Sequence, residues 1–151
     1  MTDPVVTDTS CLIAFDRIGQ IDLLPALFVV HVPPAVADEF GRRLPWLHVE
    51  PAPDPDRVEV LLERVDRGEA EAIALAESYS DAQLLIDERK GRRVARQLGL
   101  RVTGTAGILL VAKTAGLILE VRPLLDTLIY EHKFRLGEHH YEAVLRQAGE
   151  V

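Results

Sequence analysis

Val5-Val6-Thr7-Asp8-Thr9-Ser10 is the stretch that decides how this chain is read. Its apolar start reads as a short buried strand, and turn chemistry takes over around Asp8, just before a helical pattern begins near Cys11. In an open parallel α/β sheet, ligands bind outside the carboxyl ends of the strands, so an acid at this junction faces a crevice. Asp8 is therefore the first candidate active-site residue. Taken alone it has a plainer role: Asp8, Thr9 or Ser10 can cap the next helix by accepting hydrogen bonds from its orphan amides.

The same pattern returns at Gln83-Leu84-Leu85-Ile86-Asp87-Glu88, an apolar run ending in acid. Between the two, residues 28–32 read as a strand closed by Pro33-Pro34, and Pro34 suits the first turn of a helix that carries Glu39. Residues 46–53, punctuated by proline, fit an edge strand or an extended connector. Asp54-Pro55 then starts a helix with Val58, Leu61, Leu62 and Val65 on one face, for which Gly68 is the expected stop. A second helix follows, with Glu69 and Glu71 in its first turn, where the helix dipole favours negative charge without any catalysis.

Beyond Asp87, the spacing predicts a helix ended by Gly99, a strand over 100–103, a helix capped by Thr105 and stopped by Gly116, and a last strand over 117–121. Val121, Leu124, Leu125 and Leu128, then Tyr141, Val144, Leu145 and Ala148, mark two C-terminal amphipathic helices. Their stripes can pack onto the domain or against another subunit. Strands alternating with helices imply right-handed βαβ units, hence a three-layer α/β/α architecture around a central parallel sheet.

At 151 residues the chain suits one domain, 1–151, with one substantial core. No apolar stretch approaches the roughly 20 residues needed to cross a bilayer, and Met1-Thr2-Asp3-Pro4 lacks the basic and apolar regions of a signal peptide. The expectation is a soluble, cytoplasmic protein. Cys11 is the single cysteine, which excludes an internal disulfide and a thiolate zinc cluster. His31 reads as a structural histidine in an apolar strand, and His132, His139 and His140 as surface residues. A net charge of -7 argues against a general nucleic-acid coat. Even so, Arg89, Lys90, Arg92, Arg93, Arg96 and Arg101 form a basic segment that reads equally as a solvated helix face or as an RNA track.

Asp8 and Asp87 should emerge together if their strands are neighbours, with Glu39 and Glu71 leaning in from flanking helices. Like charges so gathered raise one another's pKa and need compensation. Hard oxygen donors without sulfur favour Mg²⁺ or Mn²⁺, and two such ions about 4 Å apart suit phosphodiester hydrolysis.

At this point the residues resemble a family. Val5-Val6-Thr7-Asp8-Thr9-Ser10, Glu39-Phe40, Gly68-Glu69-Ala70-Glu71-Ala72-Ile73-Ala74-Leu75-Ala76, Leu84-Leu85-Ile86-Asp87-Glu88 and Val102-Thr103-Gly104-Thr105-Ala106-Gly107-Ile108-Leu109-Leu110 together are similar to a PIN domain, in a branch similar to VapC-type toxins. The resemblance implies a PIN-like fold and a Mg²⁺- or Mn²⁺-dependent endoribonuclease, often a homodimer, acting on RNA and held inactive by a cognate antitoxin. It further implies that Asp8, Glu39, Glu71 and Asp87 form the acidic metal site and that Thr9 or Ser10 sets a hydroxyl near the scissile phosphate. Arg89 and Arg93 are the expected substrate contacts. Cap and ligand roles can be divided, with Ser10 holding the helix while Asp8 faces the metal. Two departures stand out: the third acid is glutamate where many relatives have aspartate, and Leu85 replaces a threonine found in many toxins. The alternative is a catalytically inactive PIN-like module acting through protein or RNA contacts. A phospho-receiver using Lys113 fits worse, because it would leave Glu39 and Glu71 idle.

Overall fold

A computed structural model describes residues 3–151. Five strands, β1 (Asp3–Thr7), β2 (Phe28–Val32), β3 (Leu47–Val49), β4 (Gln83–Leu85) and β5 (Val102–Thr103), form one parallel sheet in the order β3-β2-β1-β4-β5. Around it lie α1 (Thr9–Arg17), α2 (Leu23–Leu27), α3 (Pro34–Phe40), α4 (Pro55–Leu61), α5 (Arg67–Glu77), α6 (Arg89–Gln97), α7 (Thr105–Thr114), α8 (Arg122–His132) and α9 (Glu138–Gln147). Successive strand residues face opposite sides of a sheet, and here the alternation divides the core in two. Val5, Val30, Val32 and Leu85 pack with Leu12, Phe15, Leu24, Ile108 and Leu125 on one side. Val6, Leu84 and Ile86 pack with Leu61, Ile73, Leu75 and Val94 on the other. The result is the expected three-layer arrangement.

The strand order positions the site. From β1 the chain runs outward through β2 to β3 on one side, then crosses to β4 and β5 on the other. The crevice of such a sheet lies where that order reverses, between β1 and β4. Thr7 stands in register with Leu85, and the Asp8 N–H donates to the Leu85 carbonyl at 2.9 Å. Asp8 and Asp87 therefore leave the sheet side by side.

Three expectations need correction. Gly68 does not stop α4; that helix ends at Leu61, Asp66 caps α5, and Gly68 is the second residue of α5. Glu71 accordingly sits in the second turn, not the first. Residues 117–121 form no strand: the Leu117 N–H bonds back to the Ala112 carbonyl at 2.9 Å, and Val121 is the N-cap of α8. The strand expected over 100–103 is reduced to Val102–Thr103.

Both C-terminal helices fold onto the domain. Leu125 and Leu128 are buried in the first core, with Tyr141, Val144 and Ala148 packed against it. Glu150 secures them: it accepts the Val121 and Arg122 N–H groups at 2.7 and 2.8 Å and pairs with Lys113 at 2.9 Å. Lys113 thus has a structural partner. His31 also has structural neighbours, pairing with Glu50 at 2.5 Å and lying 3.3 Å from the Tyr79 hydroxyl. Among the described residues no helix is long and apolar enough to cross a membrane.

Candidate active site

Asp8 ends the central strand and is 4% exposed. Its Oδ1 accepts the Cys11 N–H at 3.0 Å, capping α1, and its Oδ2 accepts the Ser10 hydroxyl at 2.6 Å. The division of labour imagined from sequence is therefore corrected: Asp8 itself holds the helix, and Ser10 serves Asp8. Burial pushes the Asp8 carboxyl up to about 6, although the bonds from Ser10 and Cys11 pull it down. Neighbouring Asp87 adds to the rise through like charge.

Asp87 is fixed from the other side. Its Oδ1 accepts the Thr105 N–H at 2.8 Å and its Oδ2 the Thr105 hydroxyl at 2.6 Å. It thereby caps α7, whose N-cap, Gly104, has no side chain to do so. A Cβ on Gly104 would lie 2.8 Å from Asp87 Oδ1 and would collide with Arg92 Nη1. Arg92 is the arginine of the basic segment that turns inward, donating to the Ile86 carbonyl at 3.3 Å. Cys11 lies between the two aspartates, with Sγ 3.4 Å from Asp87 Oδ2. Burial, then the charges of Asp87 and Asp8, push its thiol well up, so it packs as a thiol and not as a nucleophile.

A cavity of about 150 Å³ opens beside Asp8, and Glu39, Asp66, Glu69 and Glu88 line it with Thr9 and Ser10. Glu39 of α3 is exposed at its edge. Glu71 lies elsewhere: its carboxylate accepts the Ala35 N–H at 3.1 Å, supplying the cap that Pro33 cannot give α3, and pairs with Arg67 at 3.4 Å. Glu69 occupies the cavity instead, through a capping box in which its N–H donates to Asp66 Oδ1 at 2.8 Å and Oε1 accepts the Asp66 N–H at 3.3 Å. Burial, then the Asp66 charge, push the Glu69 carboxyl up to about 8. Burial pushes Glu88 up too, but the Gly91 and Lys90 N–H groups outweigh it and hold that carboxyl below its ordinary value. Gly91 makes this packing possible, since a Cβ there would lie 2.7 Å from Glu69 Oε2 and 2.6 Å from Ile86 Cδ1.

The structure thus brings Asp8 and Glu39 to one cavity, sets Asp87 beside Asp8, and turns Glu71 toward α3. Sequence reasoning gave Glu69 only a helix-dipole role and passed over Asp66, although Asp66-x-x-Glu69 is a capping-box signature that could have fixed where α5 begins. Arg89 and Arg93 are exposed on α6 and line neither this cavity nor the cleft beside it.

Can these residues hold a divalent cation? The donors facing the cavity are hard oxygens, the set that suits Mg²⁺ or Mn²⁺. Burial, reinforced by neighbouring carboxylates, drives two of these carboxyls toward the protonated form, a cost that a bound cation would offset. Thr9 Oγ1, buried at the same cavity, has no hydrogen-bond partner among the described residues, and such orphaned groups are rare unless something binds there. The chemistry fits. Among the described residues no three His, Cys, Asp or Glu side chains form a ready-made ligand cluster, and Mg²⁺ is commonly held by one or two carboxylates together with several waters.

The family model described as DUF3368: PIN domain matches residues 4–150. No curated protein matches the chain, and no solved structure does.

Proposed function

The chain belongs to the PIN-domain family, a family of nucleases, and from that premise we propose that it is a Mg²⁺- or Mn²⁺-dependent endoribonuclease. The observation that carries this reading is the juxtaposition of Asp8 and Asp87 at the strand-order reversal, beside a cavity lined by further carboxyls. Asp8, Glu69 and Glu39 would hold the cation, with Asp87 alongside. A divalent ion there supplies the charge that polarises a phosphoryl oxygen and activates water. The protein's own contribution is positional. Hydrogen bonds from the Cys11 N–H and the Ser10 hydroxyl hold Asp8, and bonds from the Thr105 N–H, the Thr105 hydroxyl and the Cys11 thiol hold Asp87, so that neither has to be ordered when substrate arrives. A bound cation would favour the ionised form of Glu69, whose carboxyl is otherwise pushed up to about 8.

Asp8→Asn and Asp87→Asn should each lower Mn²⁺-dependent cleavage of single-stranded RNA by more than about 100-fold. Wild-type cleavage in both variants would overturn the assignment. Calorimetric titration with Mn²⁺ separates the nuclease from an inactive binding module, which would take up no metal. The role of toxin in a toxin–antitoxin pair, as a cytoplasmic homodimer restrained by an antitoxin, extends the proposal. Expression in a bacterial host should arrest growth for the wild type and not for Asp8→Asn, and equal growth of the two would sink the toxin role.

A further inference from the structure

A second cleft, of about 400 Å³, adjoins the acidic cavity, and Ser10 and Glu88 line both. Asp87 lies at this junction, while Arg17 of α1 and Lys133 and Arg135 beyond α8 line the cleft with opposite charge. None of these three cations forms an ion pair among the described residues, which leaves all three charges free to meet an anion in the cleft. Phe134, half-buried against the first core, adds an aromatic side chain to the same wall.

The backbone here departs from the pattern of the rest of the chain. Helix ends elsewhere turn through the left-handed region at Gly19, Gly41, Gly99, Gly116 and Gly149; Lys133, at φ 58°, is the one non-glycine residue in that region among those described. Glycine would turn the chain there with less strain. The turn, closed by a bond from the Phe134 N–H to the Leu128 carbonyl at 2.9 Å, brings Lys133, Phe134 and Arg135 together onto the cleft. A charged side chain stands where the local conformation favours glycine.

We propose that this cleft is the track along which single-stranded RNA enters the acidic cavity, with Arg17, Lys133 and Arg135 neutralising its phosphates and Phe134 offering a face to a base. The identity of the ligand rests on the nuclease reading above. Charge complementarity argues the occupant: a strand of regularly spaced anions with flat apolar bases matches a furrow of unpaired cations with one aromatic wall. This route differs from the α6 face of Arg89 and Arg93, which stands outside the cleft.

The test is fluorescence anisotropy with a short labelled single-stranded RNA in EDTA, so that binding is read without cleavage. Lys133→Gly should weaken binding several-fold and lower the log–log salt slope by about 0.7, while its melting temperature stays at or above that of the wild type. Arg17→Ala with Arg135→Ala should lower the slope about twice as far, and Arg93→Ala should change neither. Unaltered affinity and slope in the Lys133 and Arg17/Arg135 variants would overturn the track, as would a loss confined to Arg93→Ala or no RNA binding by the wild type. RNA binding that depends on the cleft, without Mn²⁺-dependent cleavage, would instead overturn the nuclease reading and leave the track standing.

Discussion

One carboxylate of Asp8 serves as helix cap, hydroxyl acceptor and cavity wall at once. Asparagine can still accept the Cys11 N–H, but it removes a buried charge. Asp8→Asn should therefore raise the melting temperature of metal-free protein at pH 8 and abolish its stabilisation by Mn²⁺; a lower melting temperature in EDTA would show that the charge is not a burden there. Gly91→Ala should cost about 1–3 kcal/mol, because its Cβ would press on Glu69 and Ile86; an unchanged denaturant midpoint would contradict that packing. Asp8 and Asp87 were legible in the sequence because each closes an apolar strand. The choice between Glu69 and Glu71 was not. Residues two apart in a helix point about 200° apart around its axis, so the two acids cannot share a face, and which of them meets the cavity depends on how α5 docks against α3, a long-range contact that local pattern does not report.

Elements whose caps come from far along the chain are the ones that local patterns misread. Residues 117–121 are apolar enough for a strand, yet Glu150 draws the Val121 and Arg122 amides into the start of α8. Glu150→Ala should destabilise the protein by about 1–2 kcal/mol, as expected for a lost N-cap, with earlier proteolysis between α7 and α9; undiminished resistance would refute the lock. By contrast β1, β2, β4 and the two amphipathic C-terminal helices were readable, since their periodicity reports burial directly. Whether those helices packed inward or onto a partner was not readable, because an apolar stripe carries no address.

At the scale of the molecule, acidity and stability are linked through the site. The Asp8 and Glu69 carboxyls are raised to about 6 and about 8 by burial, above their unfolded values near 4. Raised acids favour the folded state below the unfolded pKa, and that contribution is lost as pH rises through the folded pKa. Metal-free protein should accordingly melt at least about 2–4 °C lower at pH 8.5 than at pH 5.5. Mn²⁺ should stabilise it more at the higher pH, where it no longer competes with protons. Melts in EDTA that rise with pH would refute the linkage. The sheet order has a further consequence, for exchange kinetics. β1 is hydrogen-bonded to a strand on each side, so its amides should give up deuterium only through global unfolding. The turn at Lys133, held by bonds to a single carbonyl, should exchange through small local openings. One wall of the proposed enzyme is thus as durable as the whole fold, while the other is free to breathe around a passing strand.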